Sequence, residues 1–293
     1  MLFDLQSPRR KRVIQVVFGS LAVLFAFSFV FLGIGTGLSG SPLEAIGIGG
    51  ADDPAEQFQD QIDEQQEKVD ANPADKAALV ELINLRYQAA NQKYELDEET
   101  GATSLTPDAE EELQRAGDTW DQYLKAAGKA PDSSAGLIAV QVFSALAQGQ
   151  LQQAAGGSGQ AALDTADESL TNWSNAGNAQ LVVAAEGSPV QMAQAAEFFY
   201  FGGDVQNAEQ AASEALAAAP TGQDEALQMR LDAAEKQGAQ LNQQIEAYRK
   251  QLAKATQGAP GADLADEPLG DLGGGALGGG GSGALGSGGL TTP

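Results

Sequence analysis

The chain has 293 residues and a formal net charge of −24, with 16 Lys and Arg, 40 Asp and Glu, 36 Gly, and neither His nor Cys. Without His and Cys, the usual nucleophile–base pairs of hydrolases, the usual zinc, haem and iron–sulfur ligands, disulfides and lipidated cysteines are all excluded. The strong acidity also argues against binding of nucleic acid, whose phosphates require clustered Lys and Arg.

The N-terminal part of the chain predicts a basic leader followed by a transmembrane helix. The leader, residues 1–12, ends in four consecutive basic residues, which are Arg9, Arg10, Lys11 and Arg12. The next segment, 13–34, opens with twenty uncharged positions, which at about 1.5 Å per residue would form roughly 30 Å of helix, close to the hydrocarbon thickness of a bilayer. No Lys or Arg follows before Lys68, so the charge asymmetry predicts a single-pass plasma-membrane protein with a cytoplasmic N-terminus and an extracytoplasmic C-terminal domain.

Two other interpretations of the apolar run stay open. A cleaved signal peptide has the same basic start, although its apolar stretch is typically only about 7–15 residues long. A buried core helix is the second alternative, although this run has no polar face and carries four charges at one end. The length of the run and its basic flank favour the uncleaved anchor.

The rest of the chain divides into a flexible linker, a helical domain and a disordered tail. Residues 35–54 and 258–293 are rich in Gly and small residues, which cannot bury enough apolar surface to offset the entropy of ordering. Residues 55–257 are rich in Ala, Gln, Leu and Glu and have almost no strand pattern, which predicts an all-α domain. Gly and Pro punctuation gives predicted helices at 54–71, 73–97, 107–128, 133–155, 160–174, 176–186, 189–202, 204–218 and 222–256.

The stretch from Met192 to Pro220 carries the pattern of two short helices joined by a tight turn. Small residues and one aromatic ring occupy the predicted packing positions, which are Ala195, Ala196, Phe199, Ala208 and Ala215. Gly203 permits the first helix to end in a left-handed residue, and Asp204 can accept hydrogen bonds from the free N–H groups of the second helix. Pro220 is expected to stop the second helix because its ring fixes φ and removes a donor.

This pattern resembles a tetratricopeptide repeat, with one close match at about 189–220. A weaker copy places Gly149 and Ala154 where Gly203 and Ala208 stand, and residues 222–256 are predicted to form a long capping helix. The predicted fold class is therefore all-α: a transmembrane helix, then a tetratricopeptide-like α-solenoid of helix–turn–helix repeats with a long capping helix and a disordered C-terminal tail. An irregular helical bundle with one coincidental match remains the alternative.

The abundance of carboxylates raises the alternative of an enzyme or a metal site. Glycoside hydrolysis needs two carboxylates beside aromatic sugar platforms, but Trp120 and Trp173 stand at helical apolar spacing and are predicted to be core residues. The acidic runs lack the ligand order of a calcium loop, and the glycine runs lack the context of a phosphate loop. We predict no enzymatic activity, no metal site and no cofactor.

The resemblance implies a protein that captures polypeptides in the groove formed by stacked helix pairs. In the register of the matched repeat and its weaker copies, the candidate groove residues are Glu81, Phe143, Glu197 and Tyr200. The layout is similar to that of membrane-anchored tetratricopeptide proteins of the bacterial envelope. By that resemblance, we expect a membrane-tethered adaptor or scaffold whose partners are the lipid bilayer and other proteins, such as secretion or envelope-assembly factors. The alternative function is an acidic structural spacer of the envelope without a specific peptide groove.

Overall fold

Eight helices and one short strand pair make up the part of the chain that the computed structural model describes, residues 54–96, 103–184 and 187–256. In chain order they are α1 (Pro54–Ala71), α2 (Lys76–Gln92), β1 (Glu95–Leu96), β2 (Thr103–Ser104), α3 (Pro107–Ala127), α4 (Ser133–Gly156), α5 (Gly159–Val183), α6 (Pro189–Gly202), α7 (Val205–Ala218) and α8 (Asp224–Thr256). The two strands pair antiparallel, with Glu95 opposite Ser104 and Leu96 opposite Thr103.

The predicted fold class, in which a transmembrane helix precedes an α-solenoid, is wrong for this structure. Among residues 54–96, 103–184 and 187–256, no helix is both long enough and apolar enough to cross a membrane. The physical reason is that the long helices α4, α5 and α8 interleave their apolar positions with Gln, Ser, Asn or charged side chains. The predicted leader 1–12, span 13–34 and tail 258–293 lie outside the described residues, as does the linker 35–54 except for Pro54. What the structure shows is an all-α arrangement with one short strand pair.

Some of the described helices begin where a side chain accepts a free N–H group of the first turn, whereas the N-cap residues of α5 and α6 form no such bond. Four N-cap residues accept such a bond, and they are Asp75, Thr106, Asp132 and Asp204. The cap on α2 explains why the helix predicted at 73–97 starts only at Lys76. That helix also ends earlier than predicted, at Gln92, because the chain then enters β1.

Two glycines inside continuous helices allow a side chain from another part of the chain to approach closely. Residues 160–174 and 176–186, predicted as two helices, belong to the single helix α5, and Gly177 remains helical within it. A Cβ at Gly177 would stand 2.8 Å from ring atoms of Phe199, so the glycine admits the α6 ring. Gly149 lies within α4, and a Cβ there would stand 2.4 Å from Leu105. The helix predicted at 133–155 thus continues through Gly149, so the weaker copy of the repeat has no turn there, and the chain turns at Gly157, the C-cap of α4.

Helices that are neighbours in sequence are also neighbours in space. From α1 to α7, each helix packs against the next one along the chain, whereas α8 packs mainly on α6 and also reaches α5 and α7. Buried apolar side chains from α1 to α6 form the largest cluster, which contains Trp120 and Trp173, as predicted for core residues. The first half of α8 joins a second cluster with α6 and α7, and its second half joins a third with α4 and α5. The long last helix thus connects two parts of the packed array.

Candidate functional site

The predicted packing residues of the α6–α7 pair lie where close helix contact requires small side chains. All five of them are fully buried, and they are Ala195, Ala196, Phe199, Ala208 and Ala215. Gly203 ends α6 in the left-handed region at φ 74°, a conformation that glycine adopts without steric cost. The Asp204 carboxylate accepts the backbone N–H of Asn207 at 3.2 Å, and the exposed Pro220 follows the end of α7.

The four predicted groove residues do not share one open surface. Glu81 is exposed on α2, whereas Phe143 is buried, with a ring atom 3.0 Å from where a Cβ on Gly117 would stand. Glu197 and Tyr200 are each only 8% exposed. The physical reason is that α8 packs along α6 and covers both of these residues.

Polar contacts and one close backbone approach hold α8 on α6. Arg230 of α8 forms a two-point ion pair with Glu197, in which the guanidinium Nη2 donates to Oε2 at 2.8 Å. Burial raises the pKa of the Glu197 carboxyl, and the hydrogen bonds and charge of Arg230 oppose that rise. A Cβ at Gly238 would stand 2.3 Å from the carbonyl oxygen of Tyr200, so the two helix backbones meet there. The face of α6 that the sequence predicted to bind a partner is therefore occupied by the protein's own last helix.

An open polar cleft lies instead on α3, α4 and α5. Its volume is about 320 Å³, and its lining residues are Gln114, Gln150, Asp167, Glu168, Thr171 and Asn172. The α5 residues stand one turn apart at 167–168 and 171–172, so they share one helix face. The cleft therefore combines amide, hydroxyl and carboxylate groups on three neighbouring helices.

Gln150 connects the two walls of this cleft. Its side chain is only 1% exposed, and its Nε2 donates to Glu110 of α3 at 2.8 Å and to Glu168 of α5 at 3.3 Å. Its Oε1 accepts from Asn172 Nδ2 at 2.8 Å. A buried amide whose donors and acceptor are satisfied in this way fixes the helices that supply its partners.

The sequence contained a signal for Gln150 that the prediction missed. This glutamine stands four residues after Leu146 and four residues before Ala154, both of which are buried on α4. A polar residue in the middle of an apolar helical stripe must find hydrogen-bond partners when the stripe is buried. That position therefore indicated a buried polar contact, although not the residues that complete it.

Asp167 and Glu168 line the cleft, and Glu110 lies beside it. These three carboxylates differ in whether they have a cationic partner. Asp167 Oδ1 lies 2.5 Å from Nη2 of Arg249, which reaches it from α8. Glu110 and Glu168 receive side-chain hydrogen bonds only from neutral amides, and neither forms an ion pair with any residue in the described ranges.

A buried carboxylate elsewhere among these helices does have cationic partners. Glu112 of α3 is 3% exposed, and both Arg86 and Lys93 supply it with positive charge at 3.3 Å and 3.2 Å. The cleft thus retains negative charge that the surrounding described structure does not balance.

Comparisons with protein-family models, with curated proteins and with solved structures find no match. The chemistry of the cleft must therefore be judged from its own groups. Within the described ranges, no group of three or more acidic side chains is arranged to hold a metal ion. The groups that are present can donate and accept hydrogen bonds and can attract a cation.

Proposed function

We propose that the protein is an adaptor without enzymatic activity, which holds a polypeptide partner in the cleft of α3, α4 and α5. The observation that carries this proposal is Gln150, a fully buried amide that ties both walls of an open cleft together. Such a contact holds the recognition groups in fixed positions before a ligand arrives, which lowers the entropy lost on binding. Side-chain amides and carboxylates are also suited to the alternating N–H and C=O groups of a peptide backbone.

The size and lining of the cleft favour a polypeptide segment over a small organic ligand. Small-molecule sites usually have volumes of about 300–1,000 Å³ and are lined mainly by apolar and aromatic side chains. This cleft is at the lower end of that range, and each of its six lining residues is polar or charged. An extended segment with polar and charged groups would be matched by these side chains without burial of a large apolar surface.

We propose the cell membrane as the place where this adaptor acts. The support comes from the sequence alone: the basic residues 9–12 and the uncharged run at 13–32. Attachment of an adaptor to a surface raises its local concentration near partners on that surface, so weak contacts in the cleft are sufficient. If this location is correct, the full chain stays with the membrane fraction during an alkaline wash; recovery in the aqueous wash would contradict it.

Site-directed photocrosslinking tests the adaptor function. A photoreactive residue replaces Gln114, which is exposed at the cleft, and in a matched variant it replaces Glu214, which is exposed on α7. We expect discrete crosslinked proteins from position 114 in cells and none of the same proteins from position 214. Equal patterns from both positions, or no crosslinks at all, would contradict the adaptor and favour the acidic spacer.

A further inference from the structure

We draw no further inference here: the strongest candidate, the pair of exposed aliphatic side chains near the starts of α4 and α6, Leu137 and Val190, carries nothing because nothing in the described part of the chain shows what covers them.

Discussion

Replacement of Arg230 by Ala should destabilise the packing of α8 on α6 strongly at neutral pH. The change leaves the Glu197 carboxylate without its cation, while the side chain remains largely covered, since Arg230 and Glu197 side chains are 20% and 11% exposed. Removal of one partner of a buried ion pair typically costs about 3–5 kcal/mol, and the partial exposure here favours the lower value, about 3 kcal/mol. In a domain of this size, 1 kcal/mol corresponds to about 2–4 °C, so the melting temperature should fall by roughly 6–12 °C.

The loss should also depend on pH in a specific direction. Burial already raises the pKa of Glu197 above its ordinary value, and without Arg230 nothing in this pair opposes that rise. A carboxyl with a raised pKa in the folded state favours folding when it is protonated and loses that contribution as the pH rises through its folded-state pKa. The destabilisation by Arg230→Ala should therefore be largest near pH 7 and shrink as the pH falls toward the pKa of the carboxyl.

Thermal unfolding of the full chain, followed by circular dichroism of the helices, measures both effects. Arg249→Ala is the matched control, because its ion pairs with Asp167 and Glu246 are both exposed and should each contribute about 1 kcal/mol or less. Equal melting temperatures for the two variants at pH 7 would refute the reasoning. So would a loss in Arg230→Ala that stays unchanged between about pH 7 and pH 5.

Substitutions at Gly177 and Gln150 test two other contacts between the helices. Gly177→Ala should destabilise it by about 1–3 kcal/mol despite the better helix propensity of Ala, because the added Cβ would stand 2.8 Å from the Phe199 ring. Gly156→Ala, with open space around its Cβ, should be neutral or slightly stabilising, and equal thermal melts of the two variants would contradict this account. Gln150→Leu should cost about 1–3 kcal/mol, because Asn172 loses its acceptor, and should reduce crosslinking from the cleft; unchanged crosslinking would argue against the role of Gln150.

The α6–α7 pair was predictable from the sequence because its signals act over a few residues. Gly203 adopts a left-handed conformation and Asp204 caps the next helix, and both roles depend only on the adjacent backbone. The small residues that pack between the helices follow from the same local pattern. Helix existence and type were therefore predictable across most of the described chain.

The structural role of each glycine was less predictable, because a glycine can either end a helix or allow a close contact within one. Gly203 ends a helix, whereas Gly149, Gly177 and Gly238 lie within helices and admit a side chain or a backbone from a neighbour. Sequence spacing cannot separate these cases, since the neighbouring group comes from a distant part of the chain. For this reason the weaker copy of the repeat, which matched Gly149 with Gly203, has no turn at Gly149. The break predicted between 160–174 and 176–186 is wrong, because α5 is continuous there.

Whether the predicted groove is open depends on where α8 packs, and the local sequence pattern does not predict that packing. Whether Glu197 and Tyr200 face solvent is decided by α8, whose first half lies about 30 residues further along the chain. The cleft was hard to predict from sequence for the same reason, because the hydrogen-bond partners of Gln150 lie on α3 and α5. Such contacts are set by tertiary packing, and a single sequence indicates only that a buried polar residue needs partners.

The most direct test of the adaptor function compares the cleft with the one exposed residue of the groove predicted from sequence. A photoreactive residue is placed at Gln114 in one full-length variant and at Glu81 in another, and the crosslinked proteins from intact cells are identified by mass spectrometry. The account predicts that position 114 captures discrete proteins and that position 81 does not. Capture from position 81 with none from position 114 would contradict the assignment of partner binding to the cleft.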